Sequence, residues 1–268
     1  DATLSNPKLK APITGVSGRV EYDAIERRLV ISHLESRLLD QPMAVNGTVR
    51  LAAPVDVTLA IDGTLPIEVL TGWLPPEGPI QDIGGLAVLD VDLHGPLNAI
   101  SYAGQIHLKD AHVRWGTLPH PFDHLTGLLV LRDQRIEARD ISCSFHEEPL
   151  TLAATVTTHG PPEVSATLGF PRGQLSVAGR VTDEDLVIDE TTVSLNQSRM
   201  RLRGTLGRTA ERVSAFQLTG TMDFADASQL PFGLLPRLEA WKLAGAATAD
   251  ATFEGRLSDW RAAKLRAR

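Results

Sequence analysis

A glycine-bounded phrase occurs twice in this chain. Gly85-Leu-Ala-Val-Leu-Asp-Val-Asp-Leu-His-Gly95 returns as Gly245-Ala-Ala-Thr-Ala-Asp-Ala-Thr-Phe-Glu-Gly255, 160 residues on at both ends (245 − 85 and 255 − 95). Asp90 falls on Asp250, and Ala87, Leu89, Val91 and Leu93 fall on Ala247, Ala249, Ala251 and Phe253. Upstream, Asn46-Gly-Thr48 and Asp62-Gly-Thr64 answer to Arg203-Gly-Thr205 and Thr219-Gly-Thr221, each 157 residues on. The stretch Leu70-Thr-Gly-Trp-Leu-Pro75 parallels Leu230-Pro-Phe-Gly-Leu-Leu-Pro236. Self-similarity at a fixed period marks a modular array in which each unit stacks on its neighbour. The expected organisation is one continuous β-repeat segment over 1–268. In it 13–78 answers to 174–240, 79–118 answers to 239–268, and 119–173 is an intervening hairpin repeat. Such a chain predicts a surface or a conduit rather than an enzyme's pocket.

Period-2 alternation fills the space between the glycines. Met43, Val45, Gly47, Val49 and Leu51 alternate with Ala44, Asn46, Thr48 and Arg50. Ile100 to Leu108 and Leu150 to Val156 do the same. The cleanest case is Met200, Leu202, Gly204 and Leu206 against Arg199, Arg201, Arg203 and Thr205. Strict alternation predicts half-buried strands with one dry and one wet face. Turn signals such as Ala53-Pro, Gly95-Pro, Gly160-Pro-Pro162 and Gly207-Arg-Thr leave room for hairpins but none for crossover helices. Two stretches have helical period instead, Pro66 to Leu74 and Ala227 to Leu243, and they occupy equivalent places in the repeat. The expected fold is therefore mainly β, an extended, curled antiparallel sheet in groove-like repeats with two short amphipathic helical insertions.

Gly18, Gly47, Gly104, Gly127, Gly179, Gly204 and Gly220 stand where the alternation asks for an apolar side chain. A glycine inside a strand marks a bend, a bulge or a close backbone approach. A row of them would let the sheet curl. Helix is too scarce to cover one apolar face of so many strands. Folding the sheet into a trough lined by Leu, Val and Ile satisfies both the glycines and the alternation, and would make a channel for acyl chains. The lining residues singled out are Val45, Val49, Leu89, Val91, Ile106, Leu129, Leu152, Val177, Leu202 and Leu218. The competing reading is a structural or adhesive β-repeat protein whose apolar face is filled by its own side chains. Only 5 % of the residues are aromatic, which favours a trough with room for a guest.

The segment Phe122-Asp-His-Leu-Thr-Gly-Leu-Leu-Val-Leu-Arg-Asp-Gln-Arg-Ile-Glu-Ala-Arg-Asp-Ile-Ser-Cys143 resembles the recurring strand–turn–strand phrase of AsmA-like proteins. His94-Gly-Pro-Leu-Asn-Ala-Ile-Ser-Tyr-Ala-Gly-Gln-Ile-His-Leu-Lys-Asp-Ala-His-Val113 is similar to its companion phrase. The resemblance runs from about Ile13 to the end of the chain and rests on pattern rather than invariant residues. It implies the AsmA/TamB-type group of bridge-like proteins of Gram-negative envelopes, anchored in the inner membrane and crossing the periplasm. It further implies a taco-shaped β-groove that carries phospholipids toward the outer membrane, with phospholipid acyl chains and envelope proteins as partners. The two helical insertions depart from a simple match.

Other chemistry finds little support. A net charge of −7 without a basic stripe argues against nucleic acid. Arg199, Arg201 and Arg203 read as a solvated strand face. The single cysteine, Cys143, excludes an intrachain disulfide and sits in the Ile141/Phe145 alternation as a small buried hydrophobe. His120, Asp123 and His124, with His107 and His112 nearby, could be metal ligands, but the proline-punctuated loop reads as solvated. Asp90 and Asp92 share one strand face, yet the repeat carries Asp250 and Thr252, so a paired-carboxylate site is not expected. Trp73, Trp115, Trp241 and Trp260 read as anchors of helices and strand ends. No Gly-rich phosphate loop, CxxC or HExxH is present, and neither an enzyme nor a cofactor is expected. The chain begins at Asp1 and stops within a repeat, which is expected of a piece of a longer protein with its anchor elsewhere.

Overall fold

The computed structural model describes residues 2–4, 9, 11–73, 80–116, 118–158, 160–207, 209, 212–227, 245–256 and 264–267. The protein is mainly β: antiparallel, curled and not closed, with two short helices among the described residues. It divides into two compact units, 1–147 and 148–268.

The first unit is a meander. It runs β1 (Ala2–Leu4), β2 (Ile13–Asp23), β3 (Arg28–Leu38), β4 (Gln41–Arg50), β5 (Asp56–Pro66), β6 (Ile80–Pro96), β7 (Ser101–Trp115), β8 (Phe122–Arg132) and β9 (Arg135–Phe145). Each strand pairs antiparallel with the next. The second unit repeats the plan with β10 (Glu148–Thr157), β11 (Glu163–Phe170), β12 (Gly173–Val181), β13 (Asp185–Leu195), β14 (Ser198–Gly207), β15 (Val213–Asp223), β16 (Ala246–Arg256) and β17 (Lys264–Ala267). The β3–β4 turn places Leu39 and Asp40 at φ +49° and +64°, the two left-handed positions that a two-residue hairpin with native twist demands.

The expected helix at Pro66 to Leu74 is a 3-10 helix over Ile67–Trp73, directly after β5. Its Val69 is fully buried against Leu38 and Ala11, with Met43, Leu65 and Leu70 packed around them. At the equivalent place after β15 stands a four-residue helix, α1 (Phe224–Ala227). Of the expected second helix, Ala227 to Leu243, only Ala227 falls in α1; 228–243 lie outside the described residues, as do Trp241 and Trp260.

The repeat is preserved at the level of hydrogen-bond register. Asn46 faces Ala60 and Asp62 faces Asp90; 157 and 160 residues on, Arg203 faces Gln217 and Thr219 faces Asp250. Even an irregularity is repeated. In β3, Ile31 faces Gly47 and Leu34 faces Val45, so Ser32 and His33 both stand against Asn46. In β13, Ile188 faces Gly204 and Thr191 faces Leu202, so Asp189 and Glu190 both stand against Arg203. Two residues against one is a β-bulge, which bends its strand and increases the local twist.

The glycines take up that bend. Gly47 and its counterpart Gly204 have φ of +139° and +145°, a region open in practice only to glycine. A Cβ on them would come within 2.0 Å of the Thr58 carbonyl oxygen and 2.2 Å of that of Ala215. Gly179 departs from the row, because its φ is not left-handed, although the ladder shifts register beside it.

Candidate functional site

Residues directly opposite on neighbouring antiparallel strands point to the same face. That rule assembles the predicted lining residues into rows. In the first unit Met43, Gly63, Leu89, Ile106 and Leu129 form one row across β4 to β8. Val45, Ile61, Val91, Gly104 and Leu131 form the next, and Val49 faces Val57 beyond it. In the second unit one row is Leu152, Leu168, Leu175, Val193 and Met200. The adjacent row is Ala154, Ala166, Val177, Thr191, Leu202, Leu218 and Ala251. A third contains Ile188, Gly204, Phe216 and Phe253, whose two rings stack at 4.8 Å. Val45, Val49, Leu89, Val91, Ile106 and Leu129 thus share one face of their unit, and Leu152, Val177, Leu202 and Leu218 share one face of theirs.

This face is aliphatic but not a sealed core. Val91 is buried, whereas the other nine lining residues are only half-buried. On β2 the same face carries Val20 and Tyr22, 52 % and 58 % exposed. Within each unit the strands touch their sequence neighbours, and the 3-10 helix covers one end of the face through Val69 rather than its length.

The opposite face is polar. It carries Asp62, Asp90, Asp92, Gln105 and His107 in the first unit, and Thr167, Ser176, Thr192, Arg201, Thr219 and Asp250 in the second. Across β8 and β9, Val130 is buried beside Glu137, whose carboxylate takes Arg135 and Arg139 on either side. The Arg139 guanidinium donates to that carboxylate and holds its pKa below the ordinary value. Arg201 and Arg203 share the Glu190 carboxylate at 2.7 and 3.2 Å.

The other candidate sites come apart. His124 pairs with Asp110 at 2.7 Å, His112 with Asp82 at 3.5 Å, and His120 stacks on His146 at 4.1 Å. No group of three candidate metal ligands forms among the described residues. Cys143 is half-buried, and burial pushes its thiol pKa up, the opposite of an activated nucleophile. Trp115 ends β7 and is 40 % exposed.

Sequence reasoning passed over one buried polar cluster. Asp226, on α1, is 6 % exposed. Its carboxylate accepts from the Asn196 amide at 2.9 Å, the Gln197 and Ser198 backbone N–H groups at 3.1 Å each, and the Ser198 hydroxyl at 2.8 Å. The Ser198 oxygen in turn accepts from the Asp223 N–H at 2.7 Å. The Asn196 hydrogen bond, followed by those from Ser198 and Gln197, holds the Asp226 pKa low. In the 157-residue repeat Asp226 stands where Val69 stands, so one module ties its helix to the preceding hairpin with carboxylate hydrogen bonds and the other with apolar packing.

No helix among the described residues is long and apolar enough to cross a membrane. Compared with protein-family models, with curated proteins and with solved structures, the chain matches none.

Proposed function

We propose that the chain is a segment of a periplasmic, inner-membrane-anchored bridge of the AsmA/TamB type, and that its apolar face carries phospholipid acyl chains between the two membranes. The observation that carries this reading is that all ten lining residues fall on a single face of their unit while nine stay half-exposed. A self-filled structural sheet would bury them. The resemblance of the phrases His94–Val113 and Phe122–Cys143 to AsmA-like repeats supports this choice of family.

The mechanism is passive. Each methylene of a guest chain leaving water for the aliphatic face gains about 0.8 kcal/mol. That gain is nearly the same at every position along a uniform Leu/Val/Ile surface, so a bound chain has little to hold it in one register and can slide. Headgroups remain in water beside the face.

The test is native mass spectrometry with lipid extraction on protein expressed in a Gram-negative periplasm. Phospholipid is expected to co-purify, and to be lost from Leu152→Asp and Leu202→Asp variants that keep their β circular dichroism. A charge is costly in an apolar groove but tolerable for folding at a half-exposed position. Clean apo-protein with a cooperative melt, or lipid that survives both substitutions, would sink the conduit.

A further inference from the structure

The polar face of the second unit holds a cationic cleft that no lipid-carrying role requires. Across β14, β15, β16 and β17, Arg203 faces Gln217, Gln217 faces Thr252, and Thr252 faces Arg266. One row on one face therefore reads Arg–Gln–Thr–Arg. The flanking positions add Lys264, which faces Glu254, and Arg201, which faces Thr219. Arg203, Gln217, Thr252, Glu254, Lys264 and Arg266 line a single open cavity of about 480 Å³.

The local charge runs against that of the chain. Arg199, Arg201, Arg203, Lys264 and Arg266 stand beside Glu190, Asp250 and Glu254, five cations to three carboxylates, in a protein of net charge −7. Glu190 is already divided between Arg201 and Arg203, and Asp250 accepts from the Gln217 amide at 3.3 Å. No ion pair engages Lys264 or Arg266 among the described residues. Three strand steps of about 4.8 Å separate the Arg203 and Arg266 backbones by roughly 14 Å. Two guanidinium side chains lining the same cavity from that distance can close on a group between them, over the Gln217 amide and Thr252 hydroxyl as neutral donors. The planar fork of arginine matches the oxygens of a phosphate.

We infer that this cleft is a phosphate-binding site, with Arg203 and Arg266 as its clamps and Gln217 and Thr252 as its floor. Its charged and polar lining alternates along the strands with the aliphatic rows, although Gly204, Phe216 and Phe253 of the third row also border the cavity, and the proposal does not rest on the acyl-chain reading. The phosphate has two possible sources, a free phosphate compound and the headgroup of an anionic lipid at a membrane surface.

Calorimetric titration with inorganic phosphate tests the first source. Flotation with phosphatidylcholine vesicles, with and without phosphatidylglycerol, tests the second. Binding in either arm is expected to weaken about tenfold or more in an Arg203→Gln/Arg266→Gln variant, the loss of hydrogen bonds to a charged group. Gln217→Glu, which puts a carboxylate on the floor, is expected to abolish it. Arg180→Gln, on β12 two strands beyond Arg203 and outside the cleft, serves as the control and is expected to bind normally. Phosphate binding lost in the variants assigns a free ligand; vesicle binding lost in them, without phosphate binding, assigns the headgroup. Absence of binding in both arms, or binding that Arg203→Gln/Arg266→Gln leaves unchanged, overturns the proposal. All four positions are on an exposed polar face, so the variants are expected to keep the wild-type circular dichroism.

Discussion

A methyl group on Gly47 would lie 2.0 Å from the Thr58 carbonyl oxygen, a backbone atom that cannot move without breaking the β4–β5 ladder. The left-handed φ of +139° adds strain for any L-residue. Backbone strain of this kind costs on the order of 1–3 kcal/mol before the clash is counted. Gly47→Ala is therefore expected to destabilise the protein by about 3 kcal/mol or more, read as a lower urea midpoint at unchanged slope. The control is Gly160→Ala, at a turn glycine whose added Cβ meets nothing within 4 Å; it carries only the cost of its left-handed φ and should shift the midpoint less. Gly47 was legible in the sequence as a residue out of place in its alternation. The reason it must be glycine was not, because the obstructing atom belongs to a strand paired with it only in the fold.

The element after β15 is four residues long, far too short to hold itself in water. Asp226 attaches it to the β13–β14 hairpin by four hydrogen bonds. Because the folded carboxylate titrates below its ordinary value of 3.8, the unfolded chain takes up the proton first as the pH falls. This contribution to stability is present in full above that ordinary value and is lost as the pH drops through the folded value. Asp226→Asn is expected to flatten the acid limb of the melting temperature from about pH 5 downward. Asp226→Val, which copies Val69 of the other module, should lower the melting temperature at neutral pH as well. It leaves the Gln197 and Ser198 N–H groups without their acceptor, and a buried unpaired donor is penalised. Sequence alternation revealed the strands but hid their parity. Leu29 and Ile31 share a face with Leu34 rather than with His33, and Ile188 shares one with Thr191 and Val193. Thr191 conceals the switch by placing a hydroxyl in an apolar row. Asp226 was hidden for a different reason, since a lone aspartate near a turn looks the same whether it caps a neighbouring hairpin or faces water.

At the scale of each unit, the aliphatic face is half-exposed along its rows, and it is expected to take up small hydrophobic probes. Folded protein at neutral pH is expected to enhance the fluorescence of N-phenylnaphthylamine, with the signal displaced by fatty acid and reduced by Leu202→Asp. No enhancement in the native state would mean that the face is covered in solution. The rows themselves could be written down from the sequence once the register was known, because the glycine phrases recur at constant offsets. Register across a turn is set by backbone geometry, which the offsets alone do not specify. The same neighbour-to-neighbour pairing has a kinetic side. Within each meander a strand packs mainly on the strand before it and the strand after it, so each new pairing is made with a sequence neighbour rather than with a remote element. A chain released one end first would add strand upon strand as each appears, each pairing with the strand just before it. Leu34 would find Val45 across a single short turn, and each finished strand would present the edge on which the next one pairs.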